Sequence, residues 1–327
     1  MDLLNDSLQF AEPGFIFATD QGHGMIYLEH FGLTETPFSL TPDTGFYFNY
    51  LGHQQALNVL LVALRSGEGF LKITGEVGTG KTMLCRKLLA TLDDSYCSAY
   101  LPNPLLGPTE LHQAIAAEIG VERLESNQSL HELQTLILDR ALALQRTGRR
   151  VVICVDEAQA MSDVSLEALR LLSNLETEKS KLLQIVLFAQ PELDVRLEQE
   201  NFRQLRQRIS FAQHLLPLDR EGVHAYIAHR MLISGDRNGD VFLPKAIDQI
   251  YRASKGVPRL VNILAHKGLL AAFGAGHKTV DVDHVRIAIR DTAEAQLPFQ
   301  WKLSPTLLWG LALVTIVELA LVAYLLL

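Results

Sequence analysis

One eight-residue stretch has the residue types of a phosphate site: Gly75-Glu76-Val77-Gly78-Thr79-Gly80-Lys81-Thr82. Its spacing is G-x-x-x-x-G-K-T. Glycines let the main chain wrap closely around phosphate with several N–H groups turned inward. The amino end of a following helix adds partial positive charge. In such a loop Lys81 reaches the β- and γ-phosphates of a nucleotide, and the Thr82 hydroxyl holds Mg²⁺. A second set of groups closes the apolar run Val151-Val152-Ile153-Cys154-Val155 with Asp156 and Glu157. There Asp156 would orient Mg²⁺ and its waters, and Glu157 would polarise an attacking water as general base. Gln190, after the run Leu182–Ala189, has an amide that could position this water or sense the γ-phosphate. Arginines follow at Arg203, Arg206 and Arg208, and then in Gly256-Val257-Pro258-Arg259.

These groups need a scaffold that brings them together. Gly69–Thr74 reads as a buried strand before the loop, and Met83–Leu89 as a helix after it, the context the motif requires. Ser98–Leu101, Val151–Val155, Leu182–Ala189 and Phe211–Leu216 read as four more strands. Runs apolar on both faces suit a central parallel sheet. Helical patterns over Gln54–Arg65, from Thr109, over Leu130–Arg146, over Ser165–Glu176 and over Asn201–Ile209 fill the connections. Ligands of open α/β sheets bind at the carboxyl ends of the strands, so Gly75, Asp156 and Gln190 are expected on one edge. From Asp219 the pattern is wholly helical: Asp219–Ile233, Pro244–Ser254, Pro258–Gly274 and Val282–Asp291. The expected organisation is an extension or upstream start at 1–24, an α/β nucleotide-binding domain at 25–217, and a small helical lid at 218–292. A linker at 293–304 and a terminal apolar segment at 305–327 follow.

Acidic residues, 37, outnumber the 29 basic ones across 327 residues. A net charge of −8 counts against a nucleic-acid coat, whose mark is a basic face. Cys85, Cys97 and Cys154 are scattered without C-x-x-C spacing and read as reduced core thiols. The first residues lack a basic leader, and Asp2, Asp6, Glu12 and Asp20 interrupt them. Pro305–Leu327 carries one charge, Glu318. As a helix it would span ~34 Å, enough for a bilayer core of ~30 Å. Trp301, Trp309 and Tyr324 sit at its edges as an aromatic belt would. Lys302 at the near end suits a cytoplasmic soluble part.

With these motifs in this order, residues 25–291 resemble the AAA+ ATPases. The resemblance implies a five-stranded P-loop NTPase core with an all-α lid, using ATP and Mg²⁺ within a homo-oligomer. It assigns Gln190 to the sensor 1 position and Arg259 to sensor 2. Arg208, with Arg206 as second choice, matches the arginine finger lent to a neighbouring protomer. More narrowly, Tyr27-Leu28-Glu29-His30-Phe31-Gly32-Leu33 with Pro37-Phe38, the phosphate loop, and Gln190-Pro191-Glu192-Leu193 resemble the ExeA (general secretion pathway A) family. With one C-terminal span the chain is similar to the MshM-type members associated with the mannose-sensitive haemagglutinin type IV pilus. That implies a single-pass bacterial inner-membrane ATPase whose partners are pilus or secretion proteins. Direct peptidoglycan binding is not expected, since the chain stops at Leu327. Two other readings stand beside it: a low-turnover nucleotide switch, and a DNA-binding regulator of the replication-initiator or transposition type.

Overall fold

The computed structural model describes residues 24–41, 43–102, 104–122, 124–125, 127–176 and 181–295. Five strands form one parallel sheet: β1 (Phe70–Gly75), β2 (Tyr96–Leu101), β3 (Arg150–Val155), β4 (Leu183–Ala189) and β5 (Phe211–Leu215). Their order is β2-β3-β4-β1-β5. The register sets Thr74 beside Ala189, and Val155 beside Leu187. The carboxyl ends of β1, β4 and β3 therefore lie along one edge, as expected, and the phosphate loop, Asp156 and Gln190 all emerge there.

Alternation along the strands divides the core. Val151, Ile153, Val155, Ile185 and Leu187 point to one face, and Val152, Cys154, Val186 and Phe188 to the other. All nine are fully buried. The first face packs on α4 (Pro108–Glu118), α5 (Leu130–Arg146) and α6 (Asp163–Leu172). The second packs on α2 (Leu51–Arg65) and α3 (Lys81–Thr91). Burial of each such side chain contributes about 1.5–3 kcal/mol against exposure, which is why the β-branched runs become strands covered on both sides. Cys85 and Cys154 are reduced and buried in this second face.

Several helix ends differ from the sequence reading. No acceptor side chain at Thr109 starts α4. Pro108 occupies its first turn, where a missing N–H costs nothing, and Glu110 accepts from the Gly107 N–H at 2.8 Å. Ser162 caps α6, its side chain accepting the Ser165 N–H, so the helix starts at Asp163, two positions before the expected Ser165, and it stops at Leu172 instead of Glu176. The arginine segment is a short 3₁₀ turn, Glu200–Phe202, followed by α8 (Arg203–Arg208). Before it lies α7 (Glu192–Leu197).

The second body is helical: α9 (Arg220–Ile233), α10 (Pro244–Ser254), α11 (Pro258–Gly274) and α12 (Val282–Arg290). Its core also takes in the start of the chain. In α1 (Gly24–Phe31), Tyr27 is buried, and Leu33 and Phe38 join it among the side chains of α9 and α11. The Thr34 N–H donates to the Ser234 carbonyl at 2.8 Å. The boundary expected at 25–217 thus does not follow the packing: this segment is apolar enough to complete the lid, whose four short helices leave a face to cover. Within this body the turn before α11 packs tightly on the chain leading in from β5: at Gly256 φ is +78° and a Cβ would stand 1.8 Å from the Leu218 carbonyl oxygen. Only glycine fits there. Among the described residues no helix is long and apolar enough to cross a membrane. The expected span at 305–327 lies outside the described residues.

Burial lowers the pKa of His53, His112 and His266. His112 is the clearest case: its Nδ1–H donates to the Pro108 carbonyl at 2.7 Å, and its Nε2 is buried without a partner. These rings are neutral when native and take up protons more readily when unfolded. Their contribution to stability is present above the ordinary histidine value of about 6.5 and is lost as pH falls through it. The urea midpoint should be lower at pH 5.5 than at pH 7.5, and His112→Asn should shrink the difference. Equal midpoints for the parent chain would contradict this.

Candidate functional site

The loop between β1 and α3 turns back on itself at two left-handed glycines, Gly78 at φ +78° and Gly80 at φ +97°. At Gly80 the constraint is doubled, because a Cβ would meet His53 Nε2 at 2.9 Å. His53, from α2, is itself buried and donates through Nε2 to the Thr79 carbonyl at 2.8 Å. It pins the loop from below. Nothing in the sequence marks it, since it comes from a different element well before the motif. Lys81 is 4% exposed and donates to the carbonyls of Gly75 at 2.7 Å and Glu76 at 3.0 Å. Burial pulls its pKa down, while Glu157 and Asp156 act to hold its charge.

Asp156 follows β3 at 3% exposure. Burial pushes its pKa up; bonds from the Thr82 hydroxyl and the Glu157 N–H oppose that shift. A buried carboxylate joined to a hydroxyl is a hard-oxygen pair that suits Mg²⁺. Thr82 and Asp156 would hold that ion, which would supply charge neutralisation of phosphate oxygens.

Glu157 sits in the left-handed region at φ +52°, a conformation that costs energy for a side chain with a Cβ. Its carboxylate accepts from Gln159 Nε2 at 2.6 Å and from Gln190 Nε2 at 3.0 Å. Gln159 Oε1 in turn accepts the Gln190 N–H at 2.9 Å, and Arg196 from α7 donates to the Gln159 carbonyl at 2.8 Å. The geometry brings Gln190 onto Glu157 and adds Gln159, which the sequence reading missed. Two residues past the acidic pair, it could have been flagged only by asking what orients Glu157.

The lid approaches the loop through α11. The Arg259 N–H donates to the Gly78 carbonyl at 3.2 Å. Its side chain lines a cavity of about 390 Å³ together with Val77, Gly78, Lys81, Thr82 and Glu157, and has no ion pair or hydrogen-bond partner among the described residues. Unpaired, Arg259 is available to an anion. The other arginines lie elsewhere. Arg206 donates to the carbonyls of Leu197 and Glu198 at the end of α7. Arg208 donates to Ser173 Oγ at 2.8 Å. Neither lines the cavity of its own chain. Together the lined residues form a phosphate cradle, a buried cation, a hard-cation pair and an oriented carboxylate, which is the equipment for attacking a nucleotide phosphate with water.

Residues 64–197 match the AAA domain family. The chain is 43% identical over 259 residues to general secretion pathway protein A of Aeromonas hydrophila, covering 79% of this chain. It spans about half the length of that curated relative, 47%. Among solved structures it is similar to the ORC2 protein of Aeropyrum pernix, with TM-score 0.59 and 17% identity over 79% of this chain and 73% of that one. It is likewise similar to Cdc6p of Pyrobaculum aerophilum, with TM-score 0.60 and 17% identity over 76% and 70%. At that identity the likeness is one of fold.

The two glutamines touch Glu157 and not the loop. Gln159→Leu should slow hydrolysis by about 10- to 100-fold, the range for a displaced reacting group, with nucleotide affinity unchanged. Affinity and turnover falling together would place Gln159 in binding instead.

Proposed function

We propose that this chain, an AAA+ protein related to general secretion pathway protein A, binds and hydrolyses ATP at the inner membrane. The observation that carries the reading is Glu157, held by two amides at the mouth of the cavity that Lys81 and Arg259 line. Lys81 leaves its loop carbonyls for the β- and γ-phosphates. Thr82 and Asp156 hold Mg²⁺. Glu157 orients and polarises water, with Gln190 fixing its carboxylate. Arg259 brings the lid's charge to the γ-phosphate. Arg208, or Arg206 in its place, completes a neighbour's site in a homo-oligomer. Residues 305–327 anchor the chain as a single span with the ATPase in the cytoplasm. Hydrolysis drives or regulates assembly of a secretion complex or type IV pilus, the MSHA-like pilus of the MshM-type proteins among them.

Lys81→Ala should weaken nucleotide binding, because the charge on the phosphates is lost. Glu157→Gln should keep binding and lower turnover by about 10²- to 10⁴-fold. Equal turnover in Glu157→Gln and the parent would remove Glu157 from the chemistry.

The oligomer and the anchor have their own tests. Mixed Arg208→Ala and Lys81→Ala protomers should recover part of the activity each lacks alone. Full activity in a strict monomer would exclude the finger. Deleting 305–327 should move a nucleotide-binding protein from the membrane to the soluble fraction. Persistence in the membrane would exclude that segment as the anchor. Salt-sensitive retention of the soluble form on DNA would favour the regulator reading.

A further inference from the structure

Away from the phosphate loop the same cavity ends in a wall built by three parts of the chain. Phe46 comes from the N-terminal segment, Tyr226 and Arg230 from α9, and Asn262 from α11. The Arg230 guanidinium lies over the Phe46 ring at 4.6 Å. Its Nε donates to the Pro37 carbonyl, and its Nη1 to the Tyr226 hydroxyl at 2.8 Å. The Tyr226 hydroxyl donates to Asn262 Oδ1 at 3.0 Å. Tyr226, Arg230 and Asn262 are only 7%, 5% and 7% exposed.

This relay has a direction. A guanidinium can only donate, so the Tyr226 oxygen accepts from Arg230. The single hydroxyl proton then needs an acceptor, and in this buried place Asn262 supplies it. The contacting Asn262 atom is therefore Oδ1, and the amide cannot flip without stranding that proton. Nδ2, a donor with two hydrogens, is left without a partner among the described residues, in a side chain that lines the cavity. Open to the cavity, this donor is presented to whatever acceptor enters it.

We infer that Asn262 recognises the nucleobase: its Nδ2 donates to an acceptor ring nitrogen of adenine, and Tyr226 and Arg230 are positioning residues that hold the amide in that sense. The inference rests on the ATP reading above and adds the residue that reads the base. Adenine's unsubstituted ring nitrogens are acceptors, so a locked donor meets one where a freely flipping amide would present oxygen half of the time. The phosphates lie at the other end of the cavity, on Lys81, so base and phosphate contributions are separable.

The test is calorimetric titration of the full chain with ADP and, separately, with inorganic pyrophosphate. Asn262→Leu should weaken ADP about tenfold, equivalent to ~1.4 kcal/mol, and leave pyrophosphate unchanged. Tyr226→Phe keeps the ring and removes the relayed proton, and should weaken ADP about threefold with pyrophosphate again unchanged. Pyrophosphate binding doubles as the check that each variant is folded, and if Asn262→Leu does not fold, Tyr226→Phe decides. ADP affinity within twofold of the parent in the folded variants, or equal losses for both ligands, would overturn the assignment. If the parent chain binds neither ligand, the ATP reading itself fails.

Discussion

The site depends on keeping one ammonium charged at 4% exposure. A cation taken out of water is costly unless other groups replace the water it lost. Around Lys81 those groups are two loop carbonyls and, farther off, Asp156 and Glu157. They come from two distant parts of the chain, the loop after β1 and the end of β3, and they converge only if β1, β4 and β3 end together in register. The parallel sheet is thus the means of charge compensation, and its apolar runs are long enough to exclude solvent from beneath. The left-handed backbone of Glu157 is explained in the same way. A carboxylate leaving β3 must turn sharply to reach the cavity, and two glutamine amides hold it there.

The lid closes the arrangement from above with weaker ties. Its contact with the loop is a main-chain bond, Arg259 N–H to Gly78 carbonyl, which leaves the Arg259 side chain uncommitted. The chain passes between the two bodies at the stretch before α2 and again after β5. At that crossing Tyr50 Oη donates to Asp219 Oδ1 at 2.7 Å on the surface. A ligand that touches both Lys81 and Asn262 would itself tie the two bodies together.

Much of this was legible beforehand. The phosphate loop carries its own instructions, because glycine at Gly78 and Gly80 is dictated by local φ. The strands could be read because full burial on both faces demands unbroken apolar runs, as in Val151–Val155. Pro244 and Pro258 announced their helices by the rule for first turns. What could not be read depends on partners distant in sequence. His53 under Gly80, Gln159 on Glu157, and the Arg230–Tyr226–Asn262 relay have no spacing of their own; each is defined by what the fold sets against it. The packing of Tyr27 and Phe38 into the lid was hidden for the same reason, since an apolar residue does not state which core it will join.

That last feature bears on how the protein is made. His30 and Lys278 meet across 248 positions, through the Lys278 ammonium and the His30 carbonyl. The first helix therefore leaves the ribosome long before its docking surface exists. The sheet with its covering helices lies between, and can fold while Tyr27, Leu33 and Phe38 still wait, exposed, for α9 to α12. Contacts of such long range are slow to form, and apolar segments held open during synthesis are where association with the wrong partner begins. The lid can be completed only once α12 has been made, so its earliest-made part is the one that waits longest for its partners.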